Sequence, residues 1–160
     1  MHEIYAAEAD DLAASAGFVM ALATGLAGAE GMVLWLRPQR AVGQGGVAQA
    51  IGWAELGGVP DHGLIGVVRD SMALLRAAVD ALRCPALGAV VVEGWGAMRE
   101  LDLTASRRLA LAAEKNPGCR CCCCGLTRCR CPARRKRAGR WRQLPRARCP
   151  AMLPAGRPSM

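Results

Sequence analysis

The loop after the first apolar segment carries carboxylates where nucleotide-hydrolysing proteins carry a phosphate-binding lysine. The segment HEIYA is followed by Ala7, Glu8, Ala9, Asp10 and Asp11. A phosphate-binding loop needs glycine-lysine-serine or glycine-lysine-threonine at the start of a helix, because backbone N–H groups cradle the phosphates and the lysine neutralises them. Neither of the chain's two lysines follows a glycine, and three acids would repel a triphosphate. The sequence therefore argues against ATP hydrolysis and predicts no cofactor.

Two further segments have spacings that are typical of nucleotide sites. Glu93 ends the apolar run LGAVVV, where nucleotide-hydrolysing folds place an acid for magnesium or water. Since no phosphate-binding lysine accompanies it, we interpret Glu93 as a solvated acid at a strand end. The glycine-rich segment 43–48 (GQGGVA) lies six residues beyond the preceding apolar run. A dinucleotide-binding turn follows its strand closely, so we interpret this segment as a surface loop.

Other catalytic patterns are missing from the sequence. His2 and His62 are its two histidines, and neither an HExxH motif nor a Gly-x-Ser-x-Gly elbow occurs. Cys84 precedes a proline and is expected to pack as a small apolar residue. We therefore predict no catalytic residue and no metal ligand in the first 115 residues, and predict that the chain is not an enzyme.

Charge and cysteine divide the chain into two parts. Residues 1–115 contain nine basic and all thirteen acidic residues, a net charge of −4, and one cysteine. Residues 116–160 contain twelve basic residues, no acid and eight cysteines. We predict one globular domain over 1–115 and a basic, disordered tail over 116–160, so the overall net charge of +8 describes neither part.

The tail allows three interpretations. Its cysteine thiolates would suit a soft metal such as zinc, although four consecutive cysteines cannot all point at one ion. Its run RRKR, with Trp141 nearby, would bind nucleic-acid phosphates electrostatically. The third hypothesis is a frameshift in a GC-rich gene: if Cys is TGC and Arg is CGC, reading CRCCCCG one base earlier gives Leu-Pro-Leu-Leu-Leu-Leu-Arg, an apolar strand. Sequencing the gene tests this hypothesis, and mixed codons that give no apolar strand would contradict it.

Apolar runs and helical spacing predict the elements that position these residues. We expect strands near 2–6, 32–36, 64–68 and 87–92, the last three buried on both faces, and helices over 12–26, over 72–83, and from Asp102 or Thr104 to Glu114. Ser71 is the expected N-cap of the second helix, and Leu109 and Leu111 are expected to face inward from the third. Residues 39–63 are expected to be irregular, with a short helix near Ala54. Alternation of unbroken apolar strands with helices predicts an open, mostly parallel α/β sheet with helices on both faces, whose ligands would bind at the carboxyl ends of the strands.

The N-terminal region also bears on location. Glu3, Glu8, Asp10 and Asp11 lie where a signal peptide would carry positive charge. The uncharged stretch 12–29 is rich in Ala and Gly and poor in the residues that favour insertion. We therefore predict a helix buried within the protein rather than a membrane span, and a cytoplasmic location.

Together these segments resemble a known family. HEIYAAEADDLAASAGFVMALA resembles the first strand, loop and helix of the RecA-like core, with the glycines and lysine of the phosphate loop replaced. LRCPALGAVVVEGWG and LDLTASRRLALAAE resemble the Walker B strand and next helix of ImuA, a RecA-related accessory protein of inducible mutagenesis in bacteria. The resemblance covers residues 2 to about 115 and is most specific over 82–114.

The resemblance implies a RecA-like fold and a non-catalytic role in SOS-induced translesion DNA synthesis. The implied partners are an ImuB-like protein, an error-prone polymerase and RecA, with DNA contacted only indirectly and no membrane. Ala7, Glu8, Asp10 and Asp11 correspond to a degenerate phosphate loop, and Glu93 to the Walker B acid. The different-class alternative is a nucleic-acid- or metal-binding protein that acts through its Cys/Arg-rich tail.

Overall fold

The protein is a five-stranded, wholly parallel sheet with helices on both faces. The structure, a computed structural model, describes residues 2–6, 11–95 and 98–125, and for residues 44, 45 and 120–125 it describes the backbone alone. The strands lie in the order β1-β5-β4-β2-β3. In chain order the elements are β1 His2–Tyr5, α1 Leu12–Ala27, β2 Met32–Pro38, α2 Gln39–Gly45, α3 Ala50–Glu55, a 3₁₀ turn Pro60–His62, β3 Gly63–Val68, α4 Ser71–Ala81, β4 Leu87–Gly94, α5 Leu103–Lys115 and β5 Arg120–Gly125.

Two apolar cores form because the side chains of each strand alternate between the faces of the sheet. Val90 and Val92 of β4 pack in the core beneath α4 and α5, whereas Ala89 and Val91 pack with α1 and with Trp53 of α3. All eight residues of β4 are buried, as an unbroken apolar run predicts for a strand covered on both faces. The predicted open α/β sheet with helices on both faces is confirmed.

Helix α1 packs directly on the sheet. Val19, Met20 and Ala23 are buried, and a Cβ atom on Gly88 of β4 would lie 2.8 Å from Cα of Ala27. A glycine at position 88 therefore allows the end of α1 to approach the strand. In residues 2–6, 11–95 and 98–125, no helix has the length and apolar character needed to span a membrane.

Strand β3 departs from the prediction that it is buried on both faces. It forms one end of the sheet, and Leu64, Ile65 and Val67 are 45%, 42% and 53% exposed. An apolar run shows that a segment favours a strand, but it does not show whether the strand has one neighbour or two.

The start of the predicted tail also differs. Residues 120–125 form β5, which pairs with β1 on one side and with β4 on the other, and Cys119 before it is 1% exposed. The predicted domain boundary at residue 115 thus precedes a strand of the same sheet, and a disordered tail does not describe residues 116–125. The alternation of helix and strand continues after α5, with a strand made of cysteines instead of aliphatic residues. Residues 126–160 lie outside the described part of the chain.

Smaller corrections concern the helices. The predicted short helix near Ala54 is confirmed as α3, whereas the segment 39–63 is less irregular than predicted because α2 also forms within it and includes part of the predicted surface loop. Leu109 is 1% exposed as predicted, whereas Leu111 is 48% exposed. Two residues that are two positions apart on a helix do not share a face, so an inward Leu109 turns Leu111 outward.

Helices α4 and α5 both begin at an aspartate. Asp70 accepts a hydrogen bond from the backbone N–H of Ala73 (2.8 Å), and Asp102 accepts one from that of Ala105 (2.7 Å). Each satisfies one backbone donor that the first turn of a helix leaves without a partner. Asp102 was one of the predicted starts of α5, whereas the predicted cap Ser71 is the first helical residue of α4 and Asp70 is its N-cap.

We expect Asp70 to make the stability of the protein depend on pH. The backbone hydrogen bond from Ala73, and secondarily the side chain of Arg69, lower the pKa of Asp70 from its ordinary value of 3.8. Because the folded pKa lies below the unfolded one, this contribution to stability is present above the unfolded pKa and is lost as pH falls through the folded pKa. Asp70→Asn, which retains a good capping residue, should flatten the decline of the melting temperature as acid is added.

Thermal unfolding followed by circular dichroism at a series of acidic pH values measures this effect. Arg69→Ala removes the smaller contribution and should give a profile between those of the parent and Asp70→Asn. Superimposable profiles for the parent and Asp70→Asn would contradict the prediction.

Candidate functional site

The polar cluster most closely related to the predicted site lies at the carboxyl ends of two neighbouring strands. In the parallel register of β2 and β4, Trp35 is opposite Val91 and Leu36 is opposite Val92. The strand period of two therefore puts Trp35, Arg37, Val91 and Glu93 on the α1 face of the sheet. This is the edge at which open α/β sheets bind ligands.

The Glu93 carboxylate is held by three N–H donors from β2. Trp35 Nε1 donates to Glu93 Oε2 (2.8 Å), Arg37 Nε donates to the same oxygen (2.6 Å), and Arg37 Nη2 donates to Oε1 (3.2 Å). The guanidinium thus donates bidentate hydrogen bonds from two of its nitrogens to the two carboxylate oxygens, the arrangement that gives arginine–carboxylate pairs their directionality. The guanidinium carbon also lies 5.7 Å from the centre of the Trp35 ring, within the range of a cation–π contact.

Arg37 and a second arginine, Arg40, hold the segments that leave the two strands. Arg37 Nη1 donates to the carbonyl oxygen of Gly46 (2.7 Å), where a φ of 70° turns the chain after α2. Arg40 Nη2 donates to the carbonyl oxygen of Trp95 just beyond β4 (2.7 Å). The cluster therefore connects β2, β4 and the segment after α2.

Burial determines what this cluster does. Arg37 and Glu93 are 4% and 5% exposed, so Glu93 is not the solvated strand-end acid that the sequence predicts. A buried carboxylate needs a partner because its desolvation is costly, and Arg37 supplies the opposite charge as well as two hydrogen bonds. The arrangement fixes the geometry of the two strand ends and leaves Glu93 poorly placed to serve as a base or as a metal ligand.

Of the predicted phosphate-loop residues, the structure describes Asp11 alone. Asp11 lies at the N-cap position of α1 without a side-chain capping hydrogen bond, whereas Ala7, Glu8 and Asp10 lie outside the described residues. Strand β5 separates β1 from β4, so the strand that leads into the loop is two strand spacings, roughly 10 Å, from the strand that carries Glu93.

The sequence prediction missed Trp35 and Arg37 as partners of Glu93. One signal was present: Arg37 and Glu93, of opposite charge, each end an unbroken apolar run. Buried charges occur in pairs, but pairing these two residues requires knowing that β2 and β4 are neighbours. Trp35 and Trp53 are both buried.

A groove on the opposite face contains none of the predicted site residues. It has a volume of about 530 Å³ and is lined by side chains of α4 and α5 and of the residues just before α5, including Leu75, Val79, Glu100 and Arg108. Within residues 2–6, 11–95 and 98–125, no cluster of three or more His, Cys, Asp or Glu side chains is arranged to hold a metal ion.

Comparisons with known proteins find a likeness in fold and none in sequence. No protein-family model matches the chain, and no curated protein matches it in sequence. Among solved structures, SulA from Pseudomonas aeruginosa is similar, with a TM-score of 0.55 and 15% sequence identity over 77% of this chain and 95% of the SulA chain. The chain therefore has the same overall fold as SulA.

Proposed function

We propose that this chain is a non-enzymatic accessory protein of the bacterial SOS response, acting in the cytoplasm through protein partners. The observation that carries the proposal is the buried ion pair of Arg37 and Glu93, with Arg37 Nε 2.6 Å from Glu93 Oε2. At the position where a nucleotide hydrolase holds magnesium or water with a carboxylate, this protein neutralises the carboxylate with its own guanidinium. A metal ion that approached Glu93 would have to displace Arg37 and leave a buried cation without a partner.

The link to the SOS response is supported by two separate likenesses. The segments over 82–114 resemble ImuA in sequence, and the fold is that of SulA, an SOS-induced inhibitor of cell division. We propose the ImuA-like role, in translesion DNA synthesis and SOS mutagenesis, because its resemblance includes the strand and helix around Glu93. The partners proposed on this basis are an ImuB-like protein, an error-prone polymerase and RecA, with DNA contacted through them.

We expect the purified chain to bind neither ATP nor magnesium. Isothermal titration of ATP with magnesium into the protein should give no heat beyond dilution, because the loop before α1 lacks a lysine and Arg37 occupies Glu93. An established ATP-binding protein titrated in the same buffer serves as the positive control. Binding of ATP at micromolar concentrations would contradict a non-enzymatic role.

The alternative is a protein that binds nucleic acid or metal through its tail, a reading favoured by the twelve basic residues and eight cysteines after position 115. A chain that ends at Gly125 separates the two, since it keeps all five strands and removes eleven of those basic residues. If it still captures the mutagenesis partners and restores damage-induced mutagenesis in a deletion strain, the folded domain carries the function.

The opposite result, loss of both activities together with strong nucleic-acid or zinc affinity of the full chain, would favour the tail. As a control, circular dichroism of the shortened chain should show that the sheet is retained. Cell filamentation on induction, with mutagenesis unchanged, would instead favour an inhibitor of cell division like SulA.

A further inference from the structure

We propose that β3 pairs antiparallel with β3 of a second copy of the chain, about a two-fold axis at Ile65. The two five-stranded sheets would then form one continuous sheet across the dimer. The proposal rests on the edge position of β3, on its exposed apolar side chains and on the complementarity of the strand to an antiparallel second copy of itself.

The first observation is an exposed and unprotected sheet edge. Among the described strands β3 pairs with β2 alone, so alternate backbone N–H and C=O groups along Gly63–Val68 point away from the sheet. Proteins usually protect such edges with charged residues, prolines or bulges. The sequence GLIGVV contains no charge and no proline, so the edge is well suited to accept another strand.

The second observation is that β3 is covered by helices at its ends only. The register of β2 with β3 puts Gly63, Ile65 and Val67 on the α1 and α3 face. Trp53 of α3 covers Gly63 so closely that a Cβ atom there would lie 1.9 Å from the indole ring. Ile65 and Val67 extend beyond this cover and are 42% and 53% exposed. A neighbouring strand would bury both.

The third observation is that β3 is complementary to itself in one register. With Ile65 opposite Ile65 of the second copy, Leu64 lies opposite Gly66, and Val67 lies opposite Gly63. Directly opposed residues share a face of the sheet, so Val67 meets a glycine on the α1 and α3 face and Leu64 meets a glycine on the opposite face. Within each copy Trp53 lies over Gly63 and Leu36 lies over Gly66, so Val67 of the second copy would pack against Trp53 and Leu64 against Leu36, with the Ile65 pair at the axis.

The flanking charges favour the same register. It brings Asp61 of one copy opposite Arg69 of the other at both ends of the paired strands, and both residues are exposed. Arg69 uses Nε to contact Asp70 at 2.8 Å, and the five N–H donors of a guanidinium allow a second carboxylate. Because opposed residues share a face, the axis can move only to another residue of the strand: an axis at Leu64 would place Asp61 opposite Val67, and one at Gly66 would place it opposite Ser71, so that either shift separates Asp61 from Arg69. The charges therefore select the register centred on Ile65.

The first test is the oligomeric state of the full chain. Analytical ultracentrifugation over a range of concentrations should show a monomer–dimer equilibrium. Ile65→Lys places two ammonium groups opposite each other at the axis and should raise the dissociation constant by about tenfold or more, since like charges directly opposed destabilise strand pairing. Leu111→Lys, at another exposed leucine on α5, is the matched control and should leave the equilibrium unchanged.

The second test is a charge exchange that reports on the register. Asp61→Arg and Arg69→Glu should each weaken the dimer, whereas Asp61→Arg with Arg69→Glu in one chain should restore it. Hydrogen exchange of the β3 amides should become slower as concentration rises, with no change at β1. A chain that stays monomeric at all concentrations, a dimer that Ile65→Lys leaves intact, or a double variant that remains weakened would overturn the proposal. A chain that stays monomeric is also the result expected if the β3 edge binds a different protein.

Discussion

Replacing Glu93 by alanine is expected to lower the free energy of unfolding by about 3–5 kcal/mol, the cost of breaking a buried ion pair by removing one partner. The reason is the fate of Arg37, which is 4% exposed and would keep its charge without the carboxylate that compensates it. Trp35 Nε1 would lose its acceptor as well. Urea denaturation at neutral pH, followed by circular dichroism, measures the change.

A matched control separates this effect from general loss of a carboxylate. Glu55 ends α3 and is exposed, so Glu55→Ala should change the free energy of unfolding by about 0.5 kcal/mol or less, as is usual at the surface. If Glu93→Ala lowered the free energy of unfolding as little as Glu55→Ala, burying Arg37 without its carboxylate would have no cost. The structural role assigned to the ion pair would then be wrong.

A double replacement tests the same argument from the other side. Arg37→Met combined with Glu93→Leu removes both charges, and well-packed apolar residues in place of a buried pair are often neutral or stabilising. The double variant should therefore be more stable than Glu93→Ala. Part of the gain will be offset because the Gly46 carbonyl loses its hydrogen bond from Arg37 and Trp35 Nε1 loses its acceptor.

Replacing Leu109 by alanine is expected to destabilise the domain by about 2–5 kcal/mol, the range for deleting a buried leucine. Leu109 is 1% exposed and belongs to the core that α4 and α5 build with β4. Its side chain packs among residues from several elements, so its loss leaves a cavity that only a shift of α5 would fill. Urea denaturation again provides the measurement.

Leu111 on the same helix supplies the control. Its side chain is 48% exposed, so Leu111→Ala is the same substitution, with the same change in helix propensity, but it removes much less buried contact than Leu109→Ala. We expect a change within about 0.5 kcal/mol. Equal effects at the two positions would show that α5 is not oriented as the structure has it.

The sequence predicts the local elements well because their causes are local. Unbroken apolar runs gave β2 and β4, helical spacing gave α4, and Asp102, one of the two predicted starts of α5, is its N-cap. Errors arise where a residue's surroundings depend on distant parts of the chain. The exposure of Ile65 depends on β3 being at the sheet edge, which no pattern within 63–68 encodes.

The site shows the same limit more sharply. Glu93 is visible in the sequence as an acid at a strand end, and its position was predicted correctly. Its partner lies 56 positions earlier in the chain, and the pairing depends on β2 lying next to β4 in a sheet whose strand order is not the chain order. The interpretation of Glu93 as solvated was wrong because the sequence cannot show which residue the next strand brings beside it.

The position of β5 has a consequence for the way the protein is made. Among the described strands, β1 pairs with β5 alone, and His2 lies opposite Cys122. Of the described strands, β1 is synthesised before the others and β5 after them, so β1 must wait for β5 before it can join the sheet, and contacts between such distant residues slow folding. Until then β1 and the facing edge of β4 have no neighbour in the sheet, and unpaired strand edges expose a nascent chain to aggregation. The interval between synthesis of residue 2 and residue 125 is thus the period in which a chaperone would matter most to this protein.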